Sequence, residues 1–279
     1  MTETRESQSR PAPSSVNLLD AAALAGARDL AVAAARAPRD LILTRFRAAN
    51  LGVETKADGS PVTAADRAAE AIIRDRLRSS AELGRFEILG EEDGAEPGAG
   101  GYRWLVDPID GTRAFARGLP TFGTIVALEE RASGQGLVGV IHLPVTDETL
   151  AAARGLGAER DGRPLRASGA TDLRTAIVAM PDVVDFRQVG MEKGWAAVHE
   201  ACDRVRGYTD CWAHALVISG AVDAMVEAGL SPWDVRATEV LIGEAGGACR
   251  ARPSRTEGKV DVIFGGAELV AQIAELVFR

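Results

Sequence analysis

The chain has 279 residues, enough to bury a large core as one domain or as two closely joined ones. Its 40 acidic and 32 basic side chains leave a net charge of -8, which argues against a nucleic-acid partner held by a general basic surface. Three cysteines without CxxC spacing and three scattered histidines argue against thiolate or histidine metal sites, and no apolar run reaches the roughly 18–20 residues of a membrane span.

Residues 1–16 are polar, carry Pro11 and Pro13, and read as a disordered tail on a cytoplasmic protein. Asn17 to Ala37 is rich in Ala and Leu and predicts a helix. Pro38 interrupts it before a second helical stretch that reaches Arg47. Lys56 to Pro61 has turn chemistry, and Thr63-Ala64-Ala65-Asp66 opens a helix to about Arg78 with Ala69, Ile72, Ile73 and Leu77 on one face. Phe86 to Leu89 reads as a strand ending at Gly90-Glu91-Glu92, followed by a loop from Asp93 to Gly101. Trp104-Leu105-Val106 ends a buried strand. The chain should turn at Pro108, which cannot continue a central strand, and a helix should open at Thr112.

Thr121 to Leu128, Leu137 to Leu143 and Thr149 to Ala153 read as neighbouring strands. From Thr175 onward strands and helices alternate through 176–179, 195–202, 222–227, 235–245 and 260–264, before a closing helix from Ala267 to Val277. The expectation is a layered α/β protein. Its division near 150–160 leaves an N-terminal half, 17–155, with most of the candidate acids, and a C-terminal half, 156–279.

The chemistry concentrates in Asp107-Pro108-Ile109-Asp110-Gly111-Thr112. Two carboxylates three residues apart, split by a proline, make a poor core and a good cation site. Magnesium takes oxygen ligands, one or two carboxylates with water and substrate phosphate, and the Ile109 carbonyl can complete a shell. Gly111 permits a tight backbone approach, and the free N–H groups where a helix opens at Thr112 can receive an anion. Metal ligands on one side of a turn and a phosphate cradle on the other describe a metal-dependent phosphatase. Each remaining acid has a plain alternative. Glu91 reads equally as part of a solvated acidic loop, Asp110 as a helix cap, and Asp66 and Asp234 as helix-start acids.

Gly90-Glu91-Glu92, the 107–112 motif, and Trp233-Asp234 with Gly246-Gly247 together resemble the inositol monophosphatase family over about residues 20–275. The resemblance implies an αβαβα five-layer sandwich and Mg²⁺-dependent hydrolysis of phosphate monoesters. It implies that Glu91, Asp107 and the Ile109 carbonyl hold one ion, and that Asp107, Asp110 and Asp234 hold a second. Asp66 and Glu91 would share a third, weaker one. Mn²⁺ would be a substitute and Li⁺ an inhibitor. Thr112 with Asp66 would orient and deprotonate the attacking water, the Gly111 and Thr112 N–H groups would hold phosphate, and Lys56 would sit on a loop near the site. Family members are often homodimers.

Substrate choice should lie with Asp110, Asp210, Trp212 and Glu227. Where inositol phosphatases usually have a small residue, this chain has Asp210, and a carboxylate near the leaving group favours a cationic substrate. With Pro120-Thr121-Phe122-Gly123-Thr124 and Asp210-Cys211-Trp212-Ala213-His214-Ala215, the chain looks like the histidinol-phosphate phosphatase branch of the family. That likeness implies histidinol-phosphatase activity, with Asp210 and Glu227 on the substrate's ammonium group. Trp212 and His214 would either flank its imidazole or pack in a sheet. The alternatives are an inositol, sugar or nucleotide phosphatase on the same site, or a binding protein that kept the fold and lost turnover.

Overall fold

The computed structural model describes residues 19–48, 54–55 and 61–278, so the expectations for residues 1–16 and for Lys56 lie outside the described residues. Helices α1 (Ala21–Arg36) and α2 (Arg39–Arg45) come first, then the short antiparallel pair β1 (Glu54–Thr55) and β2 (Pro61–Val62), then α3 (Ala64–Arg78). The first large sheet is built from β3 (Glu87–Gly90), β4 (Gly94–Glu96), β5 (Tyr102–Asp110), β6 (Gly123–Glu130), β7 (Gln135–Leu143), β8 (Glu148–Ala153), β9 (Ala158–Arg160) and β10 (Arg163–Pro164). These eight strands lie in the order β10-β9-β8-β7-β6-β5-β3-β4, and the five-residue helix α4 (Thr112–Ala116) joins β5 to β6.

The rest of the chain supplies β11 (Ile177–Ala179), α5 (Val183–Gln188), α6 (Glu192–Ala201), β12 (Arg204–Arg206), α7 (Asp210–Ile218), β13 (Ala224–Leu230) and α8 (Pro232–Glu244). It closes with β14 (Ala248–Pro253), β15 (Val260–Gly265) and α9 (Ala267–Val277). Five of these strands form the second sheet, ordered β12-β11-β13-β15-β14.

Side-chain direction along the strands creates the layers. On β5, Trp104 and Val106 point to one face with Val126, Val138 and Ala151 of the neighbouring strands, and this face is covered by Ala27, Ala31 and Ala34 of α1 and Ile73 and Leu77 of α3. The opposite face, with Leu105, Ile125 and Ile141, packs on Ala213 and Val217 of α7 and Ala237 and Leu241 of α8. Met225, Val262 and Phe264 of the second sheet close on the same two helices from the other side. The far face of the second sheet, with Val178, Val226 and Ile263, is covered by Phe186, Val198 and Ile273. The result is the expected αβαβα five-layer sandwich. Strands β6 and β7 are buried on both faces and accordingly read as nearly unbroken apolar runs rather than alternating ones.

Several local expectations change. The chain does not leave the sheet at Pro108. Strand β5 pairs with β6 from Tyr102↔Glu130 to Asp107↔Ile125 and again at Asp110↔Gly123, so a step of three on β5 faces a step of two on β6. The missing N–H of Pro108 falls in this bulge, where no ladder bond is needed, and its carbonyl accepts from Thr124 Oγ1 at 2.8 Å. Residues 210–218 form a helix, so Trp212 and His214 are helical and not sheet residues. Their run of apolar residues is short and buried in the middle layer, where periodicity cannot separate strand from helix. Helix α5 and strands β12 and β14 also form where no element was expected.

Candidate active site and metal centre

The bulge in β5 sets the geometry. By adding one residue it turns Asp107 and Asp110, three positions apart, toward a common point, where the first turn of α8 delivers Asp234. Each of the three offers a carboxylate oxygen, and these oxygens all lie within 4.8 Å of one another. The arrangement is fixed by local bonds. Asp107 Oδ1 accepts from the Ile109 N–H at 3.0 Å, Asp234 Oδ2 from the Ser231 N–H at 2.8 Å, and Asp110 Oδ2 from the Cys211 N–H.

Burial raises the pKa of all three acids. Asp107 is pushed well up by burial and then by Glu91, Asp110 and Asp234; Asp110 is pushed well up by burial, Asp210 and Asp234. Asp234 is held at about 7, by burial first and Glu91 next. Carboxylates this close resist joint ionisation unless a cation sits among them. An all-oxygen donor set fits a hard divalent cation and not zinc or copper. The residues present therefore fit a metal centre held by Asp107, Asp110 and Asp234.

Glu91 joins this group from the end of β3, hydrogen-bonding the Asp107 side chain and raising the pKa of Asp66 and Asp234 as well. Its placement depends on a residue that sequence reasoning missed. Glu70 on α3 is fully buried, and its carboxylate accepts from the backbone N–H groups of Glu92 at 2.9 Å and Asp93 at 3.1 Å. The same carboxylate lies so close to Gly90 that any Cβ there would collide with it, which is why the turn before Glu91 carries glycine. Arg74, one helical turn on, pairs with Glu70 at 2.7 Å and donates to the Gly94 carbonyl at 2.6 Å. The i, i+4, i+8 spacing of Asp66, Glu70 and Arg74 along one helix face was the available signal.

Asp66 forms the expected capping box with Thr63 and is almost wholly buried. Its Oδ2 accepts from the Thr63 N–H at 2.8 Å and hydroxyl at 2.6 Å, leaving Oδ1 facing Thr112 Oγ1 at 3.4 Å. Thr112 Oγ1 is also 3.0 Å from the Ile109 carbonyl, so one hydroxyl proton has two acceptors, and that carbonyl keeps a second lone pair. Gly111 takes the left-handed conformation, with φ at 87°, and caps α4. Its N–H and that of Thr112 find no acceptor among the described residues.

Asp210 opens α7 beside this turn. Its Cγ lies 3.3 Å from where a Cβ on Gly111 would stand, and its carboxylate accepts from Thr209 Oγ1 at 2.7 Å. Glu227 on β13 is 5% exposed and turned inward. His214 is 1% exposed, with Nε2 2.6 Å from Glu227 Oε2 and Nδ1 2.6 Å from Thr238 Oγ1. Both nitrogens are committed and one ring face meets Phe264, so His214 is not available to flank a ligand ring. Trp212 is half-buried, with Tyr208 edge-on at 5.5 Å and the middle-layer core on its other side.

Comparison with known proteins agrees with this geometry. The model of the inositol monophosphatase family matches residues 24–275. The chain belongs to the inositol monophosphatase family. Histidinol-phosphatase from Chlorobaculum parvum is 36% identical, with 82% of this chain and 88% of that one covered. The Nus factor SuhB of Escherichia coli is also 36% identical, over 78% and 82% of the two chains. An inositol monophosphatase from Zymomonas mobilis superposes with a TM-score of 0.77 and 31% identity, covering 90% of this chain and 97% of that one. As a member of this family the protein is a metal-dependent phosphoric monoester hydrolase acting on small-molecule phosphate esters. Among the described residues no helix is long and apolar enough to cross a membrane.

Proposed function

We propose that the chain is a Mg²⁺-dependent histidinol-phosphatase, converting histidinol phosphate and water to histidinol and phosphate. The observation that carries this reading is Asp210, a carboxylate set beside Gly111 on the edge of the acid cluster. A phosphate bound at Gly111 and Thr112 would have its ester oxygen near that carboxylate, which suits a leaving group bearing an amine and disfavours a neutral polyol. The name of the Chlorobaculum relative supports the same substrate.

Asp107, Asp110, Asp234 and Glu91, with the Ile109 carbonyl, would hold the ions. Bound there, Mg²⁺ would screen the phosphate dianion, acidify a water and steady the departing oxygen. The chain's own residues supply position and proton transfer. Thr112 Oγ1 accepts a proton from the attacking water and passes its own to Asp66 Oδ1, whose partner oxygen is already occupied by Thr63. Burial raises the pKa of Asp66, against the bonds from Thr63 that lower it, and a carboxylate with raised pKa is the better proton acceptor. Water adds to phosphorus in line, the P–O ester bond breaks, and the alkoxide takes a proton from solvent. Neither Cys nor His is needed as a nucleophile.

The test is phosphate release from histidinol phosphate and inositol 1-phosphate, each with Mg²⁺ and with EDTA, for wild type and Asp210→Ala. Metal-dependent preference for histidinol phosphate that collapses in the variant is expected. Equal or better turnover of inositol phosphate, indifferent to Asp210, would overturn the substrate and keep the phosphatase. The SuhB and inositol monophosphatase relatives make the inositol ester the comparison to run.

A further inference from the structure

His214 is a buried side chain on α7 that bonds two further elements around the acid cluster, β13 and α8. It stands one helical turn after Asp210 on α7, whose Cys211 N–H holds Asp110. Through Nε2 it reaches Glu227 on β13, and through Nδ1 it reaches Thr238 on α8, one turn after Asp234. A carboxylate only accepts, so the proton of the short Nε2 contact belongs to the ring when Glu227 is ionised. The Thr238 hydroxyl can donate or accept, so it satisfies Nδ1 whether or not the ring is charged.

The Glu227 side chain makes no other hydrogen bond among the described residues, so Oε2 is anchored and Oε1 is left without a partner there. It lies near enough to Asp210 and Asp234 to raise the pKa of both. The groups facing His214 are Glu227 from β13, Asp110 from β5 and Asp210 from its own helix, with the Phe264 ring edge-on from β15. Burial works against a charge on the imidazole; these three acids outweigh it and raise its pKa.

We propose that His214 is a positioning residue for substrate choice: clamped between Thr238 and Glu227, it holds the Glu227 carboxylate by one oxygen and presents the other to the leaving group beside Asp210. The bond from Nε2 occupies one Glu227 oxygen, which leaves Asp210 as the principal carboxylate for a cationic group and Glu227 as an oriented acceptor. The proposal rests on the phosphatase site of the preceding section and on Glu227 lying on its substrate side. A buried histidine that merely filled the core would need its bonds satisfied, but would have no reason to couple kinetically to Glu227.

The experiment is a double-mutant cycle of His214→Ala and Glu227→Gln, with His214→Gln as the conservative variant, measured on both histidinol phosphate and inositol 1-phosphate with Mg²⁺. Loss of a bond to a charged group should raise KM about tenfold or more in His214→Ala while kcat stays within about twofold, and His214→Gln should recover part of the loss. The double variant should be no worse than Glu227→Gln alone. Additive effects, or equal losses in kcat and KM that follow the fall in Tm, would overturn the clamp. If His214→Ala does not fold, Thr238→Val removes the other end of the clamp at constant shape and should shift KM in the same direction. An unchanged KM in that variant counts against the proposal. Failure of the histidinol reading would appear in the wild type, as preference for the inositol ester. Failure of the clamp would appear only in the variants, on whichever ester is turned over.

Discussion

Thr112 illustrates how much rests on a single hydroxyl. Its oxygen lies 3.0 Å from the Ile109 carbonyl and 3.4 Å from Asp66 Oδ1, so it can hand a proton to a base that is itself fixed by the Thr63 cap. A serine in its place would keep the relay, and an alanine would leave the acid cluster intact and remove it. We expect Thr112→Ala to lower kcat by about 10²–10⁴ with KM changed little, the usual range for losing proton transfer, and Thr112→Ser to retain most activity. Steady-state kinetics at saturating Mg²⁺ decides this; a rise in KM with unchanged kcat would instead make Thr112 a binding group. Thr112 and the acids were readable in sequence because their types and spacing are constrained by chemistry. Glu70 left only its spacing with Asp66 and Arg74 on one helix face, because the backbone N–H groups its carboxylate bonds lie 22 and 23 residues away.

At the level of elements, the site depends on three segment ends held in register. Strand β5 contributes Asp107 and Asp110 through its bulge, α8 contributes Asp234 through its first turn, and α3 positions Glu91 indirectly through Glu70 and Arg74. The turn from Gly90 to Gly94 carries no apolar side chain, and the two N–H bonds to Glu70 help to hold it, together with Arg74 on the Gly94 carbonyl and the Glu91 N–H on the Val106 carbonyl. Glu70→Gln keeps the size of the side chain and loses the charge that receives those bonds and Arg74. Its expected effect is a metal affinity weakened about 10–100-fold, the usual cost of removing an outer-shell partner, with α3 retained by its cap and apolar face. Mg²⁺-activation curves and far-UV circular dichroism separate the two; unchanged activation would show that Glu91 holds its place without Glu70. Elements with clear periodicity, such as α3 with its capping box and α9, were legible within a few residues. Helix α7 was not, since burial in the middle layer removes the polar face that periodicity relies on.

For the whole molecule, the five layers bring like charges together at the centre of an acidic protein. The close approach of layers is set by small residues. A Cβ on Gly139 of β7 would collide with the Ala237 backbone, so α8, which carries Asp234, seats directly on the first sheet. The cost of the acid cluster should show in stability. Asp234 has its pKa raised from the ordinary carboxylate value of 3.8 to about 7, so between those values the folded, metal-free chain binds a proton that the unfolded chain does not. Stability from this group is full at low pH and is lost as pH rises through about 7, by up to about 1.4 kcal/mol per unit. Tm of the metal-free protein should therefore fall between pH 5 and pH 7 relative to an Asp234→Asn variant, whose side chain does not titrate. Mg²⁺ should raise the wild-type Tm, and more at pH 7 than at pH 5, because the ion competes with protons. Calorimetry with EDTA and with Mg²⁺ checks both; a Tm that is flat across this range in both proteins would remove the repulsion from the account.

The sequence by itself determined the chemistry and the family. Asp107 and Asp110, split by a proline, read as a cation site from residue type and spacing, and the resemblance to the family added Asp234. Alternation and apolar runs fix a layered α/β protein, because hydrophobic periodicity is a local property. Tertiary structure alone decided that Pro108 sits in a bulge and not at a turn, that Glu70 holds the Glu91 loop, and that His214 faces Glu227 and Thr238. These are contacts between distant segments. Their geometry follows from how sheets and helices pack, and no spacing along the chain records it.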